Sequence, residues 1–222
     1  VTFSITARCP QSGAFGMAIS SSSPAVAARC AHLRAGIGAV ASQNITDPRL
    51  GQRGLSLLAE GHSADQVVAA LRQDALIRFR QVAVVDRAGL AAGFSGEATL
   101  GCHAMAFGQG AVAAGNLLAQ PSVPAAMIHA FEAAEGPLAE RLMQALEQGL
   151  AAGGEAGPVH SAGLIVVRDL PWPLVELRID WHEAPIAQLR QAWDVYAPQV
   201  EDYVRRAFQP GEAPAFGVPG DA

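Results

Sequence analysis

The order in which strand and helix patterns follow one another is the tightest constraint on this chain. Residues 2–8 alternate Phe3, Ile5 and Ala7 against Thr2, Ser4 and Thr6, the period of a half-buried strand. The cluster Pro10-Gln11-Ser12-Gly13 turns the chain, and residues 14–20 read as the returning strand of a hairpin. In a simple register, Thr2 stands near the level of Ser20 to Ser22. Residues 25–33 are small and predict a short helix, and 36–43 are apolar enough for a buried strand. Asp47-Pro48 starts a helix that Gly61 ends, and Ser63-x-x-Gln66 is a capping box for the next. Two hairpins follow, at 79–94 around Asp86-Arg87-Ala88-Gly89 and at 104–114 around Gly108-Gln109-Gly110. Helices over 122–135 and up to about Leu150, a loop over 151–158, strands over 161–167 and 175–180, and a helix over 185–208 complete the pattern.

Parallel α/β folds alternate strand and helix strictly, and this order does not. Antiparallel sheets with helices on their outer faces accommodate it. Because many strands look buried, the expected fold is α+β: a four-layer αββα sandwich of two mainly antiparallel sheets between helical layers. One domain is expected over residues 1–208, with a disordered tail over 209–222.

Charge narrows the classes of function. The net charge of −5 contains no block of like charge, which argues against nucleic-acid binding. No apolar run reaches the roughly 18 residues of a membrane span. The first residues lack the basic-then-apolar order of a signal peptide, so the cytoplasm is the expected location. All 15 basic residues are arginines, so no lysine is present to act as Schiff base, phosphate clamp or catalytic base. Cys9, Cys30 and Cys102 are odd in number and widely spaced, which favours reduced thiols over a disulfide framework. The six histidines include no pair at helical ligand spacing, and neighbours in Asp180-Trp181-His182-Glu183 point to opposite sides of an extended segment. A solvated strand end is therefore preferred there over a metal centre.

Thr2 is the residue with chemistry to offer. A threonine hydroxyl is a poor nucleophile without an adjacent base. When threonine leads the mature chain, its own α-amine, titrating near about 7.7–8.0, is that base. Val1 is what a GTG start codon spells when translated literally. An initiator Met before a residue as small as Thr is normally removed, which would expose Thr2 without autoproteolysis. A strand that merely has threonine second is the competing account.

The blocks VTFSITAR, GMAISSSSPAVAARC, RAGIGAVASQNITDPRLGQRGLSLLAEG, RQVAVVD, AAGNLLA and SAGLIVVRD occur in this order. Together they resemble the domain-of-unknown-function 1028 family over about residues 1–195. The resemblance implies an N-terminal-nucleophile hydrolase-like fold and places Thr2 at the position of the proposed nucleophile. At the end of the second strand, where many relatives carry a lysine, this chain has the run Ser20-Ser21-Ser22-Ser23. Arg29 or a hydroxyl network must then tune the threonine.

Gln43 and Asn44 end a strand expected beside the first hairpin, and their amides are candidates for steadying an oxyanion. Loop hydrogen bonding competes for them. Gly115-Asn116 is similarly placed, its glycine permitting close backbone approach, and His160-Ser161 opens another buried strand. The expected function is an N-terminal-threonine hydrolase of an amide or related C–N bond in a small molecule. Thr2, Gln43, Asn44 and Asn116 are its catalytic set. Ser20, Ser21, Ser22, Arg29, Gly115 and Ser161 are its substrate-binding set. The chemistry calls for neither metal nor organic cofactor. Assembly into a homo-oligomer is expected, through 25–33 or the Trp193/Tyr196 helix, although both segments equally suit the core. The rival is a non-catalytic oligomeric ligand-binding or scaffold protein on the same fold.

Overall fold

The computed structural model describes residues 2–218; Val1 and residues 219–222, on which the expectations about chain processing and the end of the tail fall, lie outside it. Among the described residues ten strands form two antiparallel sheets. One has six strands: β1 (Thr2–Arg8), β2 (Phe15–Ser21), β7 (Ala104–Gly108), β8 (Ala111–Asn116), β9 (Ser161–Val167) and β10 (Val175–Ile179). Their order is β10-β9-β2-β1-β8-β7. The other has four, β3 (Ala31–Arg34), β4 (Gly38–Asn44), β5 (Arg80–Asp86) and β6 (Ala91–Ser95), in chain order.

The helices cover the outer faces. Helices α4 (Val123–Ala133), α5 (Leu138–Ala151) and α6 (Pro185–Tyr196) cover the six-stranded sheet, where Phe3, Ile5 and Ala7 meet Met127, Leu142 and Leu146. Helices α2 (Pro48–Ala59) and α3 (Ala64–Leu71) cover the four-stranded sheet, with Val40, Val82 and Val84 beneath Leu55, Val67 and Leu71. Between the sheets lie Phe15, Met17, Ala39, Ala41, Ala83, Val112 and Ala114. The αββα sandwich expected from element order is therefore the observed one. Among the described residues no helix is long and apolar enough to cross a membrane.

The local signals act as their chemistry requires. Asp47 accepts a hydrogen bond from the Arg49 N–H with Pro48 in the first turn of α2, and the Ser63/Gln66 capping box closes on both sides. Three details differ from the sequence expectation. The segment 25–33 is a five-residue helix, α1 (Val26–Cys30), that runs directly into β3, because residues from Ala31 pair with β4. The closing helix is interrupted at Ala197–Gln199 by a 3₁₀ turn containing Pro198, before α7 (Val200–Phe208). The polar face of β1 turns to the second sheet rather than to bulk solvent: Thr2, Ser4 and Thr6 are all buried.

Arg190 joins α5 to α6, its guanidinium paired with Glu140 at 2.8 Å and Glu147 at 2.9 Å. The Trp193 indole N–H donates to Glu140 at 2.7 Å. Hydrogen bonds from Arg190 foremost hold the Glu140 carboxyl down to about 2, against an ordinary 4.5. A depressed folded-state value means this contribution is present above about pH 4.5 and is lost as pH falls toward 2. Glu140→Gln is expected to lower stability near neutrality by about 1–3 kcal/mol. It should also flatten that acid limb in urea titrations between pH 5 and 2; an unchanged limb would assign the acid sensitivity to other carboxylates.

Candidate active site at the start of strand β1

β1 is an inner strand, bonded to β2 on one side and β8 on the other. Phe3 pairs with Ser20, so Thr2 stands level with Ser21, and its partner across the other ladder is Asn116. Period-two alternation sends the Thr2 side chain toward the second sheet. There a cleft of about 260 Å³ opens, lined by Thr2, Ser21, Ser23, Arg29, Asn44 and Thr46 together with Cys30, Pro48 and Leu100.

Each wall has a local cause. Asn44 ends β4 with φ 75, a left-handed conformation that asparagine tolerates better than most residues. Its Nδ2 donates to the Phe79 carbonyl and its Oδ1 accepts the Leu100 N–H at 3.2 Å, tying two loops to the rim. Thr46 Oγ1 donates to the Ser42 carbonyl at 3.1 Å and lies 3.2 Å from Cys30 Sγ. Burial pushes the Cys30 thiol up, away from thiolate. Arg29 donates to the Pro24 carbonyl, holding the turn before α1. Ser21 Oγ accepts the Ser23 N–H at 3.0 Å.

Behind Thr2 runs a seam of buried amides between the two sheets. Ser4 Oγ donates to Gln43 Oε1 at 2.7 Å, and Gln43 Nε2 donates to Gln81 Oε1 at 2.8 Å. Asn116 Nδ2 donates to the same oxygen at 3.1 Å. Gln81 Nε2 in turn donates to Ser95 Oγ at 2.9 Å and to the Gly115 carbonyl at 3.0 Å.

Of the residues the sequence singled out, the cleft thus gathers Thr2, Ser21, Arg29 and Asn44. Gln43 and Asn116 stand in the seam behind it, and Gly115 supplies that seam with a carbonyl. Ser20 and Ser161 are fully buried: Ser20 Oγ donates to the Ser161 carbonyl at 2.9 Å. Ser161 Oγ, 2.6 Å from the Ser23 carbonyl and 3.2 Å from the Val26 nitrogen, fastens the serine run to α1. Ser22 gives its N–H to Glu155 at 3.0 Å.

Sequence reasoning missed Gln81 and Glu155. A glutamine inside the apolar block RQVAVVD was a usable signal for the first. Glu155 lies in a Gly-rich loop and had none. It is 5% exposed, it bridges Leu118 through the backbone, and its Oε2 has no hydrogen-bond partner among the described residues. Burial foremost pushes its carboxyl up to about 7.

Elsewhere, Asp180 pairs with Arg178 at 2.7 Å, His182 Nδ1 accepts the Ala184 N–H, and Trp181 stacks on His160 with ring centroids 4.4 Å apart. No group of three or more His, Cys, Asp or Glu converges among the described residues. A cavity of about 590 Å³ lies at the other end of β1, beside Arg8, Arg87 and Arg168.

A family model described as a family of unknown function, DUF1028, matches residues 2–189. The crystal structure of a protein of that family from Silicibacter pomeroyi is 31% identical, with a TM-score of 0.85. The match covers 92% of this chain and 94% of that one. More distant are Anbu (ancestral beta-subunit) from Yersinia bercovieri, 12% identical over 90% of this chain and 97% of that one at a TM-score of 0.40, and a mutant Anbu from Hyphomicrobium sp. strain MC1. The latter is 11% identical over 92% and 100% of the two chains, at 0.42. No curated protein matches the chain.

Proposed function

The chain belongs to the DUF1028 family, and from that premise we propose that it is an N-terminal-threonine hydrolase cleaving an amide or related C–N bond of a small molecule. The observation that carries this reading is Thr2 at the head of an inner strand, opening with Ser21, Ser23, Arg29, Asn44 and Thr46 into one polar cleft. A hydroxyl there needs a base, and an α-amine on the same residue supplies one at near-neutral pH.

The chemistry balances within the residue itself. Thr2 Oγ bonds to the substrate carbonyl carbon as its proton passes to the α-amine. The oxyanion collapses, the C–N bond breaks, and the ammonium returns the proton to the departing nitrogen. Water then hydrolyses the Thr2 ester. Arg29 and the Ser21–Ser23 turn are the proposed substrate contacts, and Asn44 at the rim faces the carbonyl. Gln43 and Asn116 act from behind, holding β4 and β8 at the level of Thr2. No step calls for a metal or an organic cofactor.

One observation favours a binding or scaffold protein instead: with no lysine in the chain, no ammonium side chain can stand beside Thr2. The first test is intact mass and N-terminal sequencing of untagged protein expressed from its native start codon. Periodate treatment and hydrazide capture follow, because periodate cleaves only a 1,2-amino alcohol with a free amine to an aldehyde. A chain led by Thr2 and captured by hydrazide supports the hydrolase. A blocked or extended Thr2 removes the base and favours the binding protein.

A further inference from the structure

Glu155 is built into the end of β1 without being part of any strand. On one side its Oε1 accepts the N–H of Ser22, one residue beyond Ser21, which is level with Thr2. On the other, its backbone bridges Leu118, two residues beyond Asn116, the partner of Thr2. The two contacts bracket the start of β1: the carboxylate meets Ser22 one strand residue (~3.4 Å) beyond the level of Thr2, and the backbone bridge to Leu118 lies two residues beyond it. That is the space into which the backbone nitrogen of a strand-leading threonine points.

Tying the loop to β2 needs only Oε1. Oε2 is buried and lacks a partner among the described residues. A buried carboxylate oxygen without a donor is costly enough that one is expected when the site is complete.

We propose that Glu155 is the positioning carboxylate for the α-amine of Thr2, Oε2 accepting a hydrogen bond from that amine and turning its lone pair toward Thr2 Oγ. This rests on the reading of Thr2 as N-terminal nucleophile. With the amine neutral, one N–H is donated to Oε2 while the lone pair faces the hydroxyl. When the amine takes the Oγ proton, the resulting ammonium is paired with a carboxylate. In a chain without lysine, this arrangement sets the basicity of the amine by an acid rather than by a neighbouring ammonium.

The other titratable and charged groups at the cleft are Arg29 and Cys30 from α1, which line it, with Asp47 and its partner Arg49 next to the lining residues Thr46 and Pro48, and His160, whose backbone N–H donates to the Ser21 carbonyl, on the β2 side. All are common to the variants below.

The test uses untagged full-length protein, a β-lactone as acylating probe, and intact mass to follow Thr2 labelling from about pH 5 to 10. Glu155→Gln keeps the shape and the Ser22 contact but removes the charge. It is expected to lower the pH midpoint of labelling by about 1 unit and to slow the plateau rate about tenfold. Glu155→Asp, whose carboxylate is withdrawn by one methylene, should slow labelling yet stay near the wild-type midpoint. Wild-type labelling with the same midpoint and rate in Glu155→Gln overturns the assignment of Glu155 and leaves the nucleophile standing. Absence of labelling at Thr2 in the wild type overturns both. If the glutamine variant fails to fold, Glu155→Asp decides: slowed labelling supports the assignment, and wild-type kinetics overturn it.

Discussion

Gln81→Ala is expected to lower the free energy of unfolding by about 3–5 kcal/mol. Gln81 is wholly buried, and its amide makes four hydrogen bonds, to Gln43, Asn116, Ser95 and the Gly115 carbonyl. Truncation strands the Gln43 and Asn116 amides and the Gly115 carbonyl where they are already desolvated, while the half-buried Ser95 hydroxyl can turn to water. A stranded buried group costs roughly 1–3 kcal/mol, and a water entering the space would return part of that. Gln81→Leu separates the causes. It restores volume but no hydrogen bonds, so it should be nearly as damaging as alanine in urea denaturation. If leucine recovers most of the loss, packing rather than polar satisfaction governs the seam, and Gln43 and Asn116 are held by something else.

Thr2→Ala is expected to abolish β-lactone labelling and to reduce any amide hydrolysis on the order of a thousandfold or more, because the attacking atom is gone. Thr2→Ser retains a hydroxyl and an α-amine, and should keep activity within about tenfold. Both variants keep a small residue at the head of β1, so thermal unfolding of each should stay close to wild type. Labelling or turnover that survives in Thr2→Ala would dismiss Thr2 as nucleophile and return the cleft to a binding role.

Much of this arrangement could be read before the fold was known, and the misses share a physical cause. Phe3, Ile5 and Ala7 announce a strand through their period, and the turn that follows places Thr2 near the level of Ser20 to Ser22; the ladder narrows this to Ser21. The same period misleads about what the other face meets. Alternating hydroxyls look alike whether they meet water or, as Ser4 does, an amide from another sheet. Gln81 is legible only as an oddity, since its partners lie 14 to 38 residues away. Glu155 is not legible at all, because its meaning depends on two strand ends brought to it by the sheet. The 25–33 segment looks like one helix because its alanines suit a helix, whereas pairing with β4 decides the conformation from Ala31 onward.

The position of Thr2 at the head of an inner strand has an experimental consequence of its own. With no lysine among the 222 residues, a chain led by Thr2 carries a single primary amine, and that amine is the proposed base. Any amine-selective reagent then becomes a one-atom reporter. Isotopic reductive methylation would place a single resonance inside the cleft, and its chemical shift against pH would trace the titration of the dimethylated amine at the proposed base, free of the crowd of surface signals that obscures such a measurement in lysine-bearing proteins.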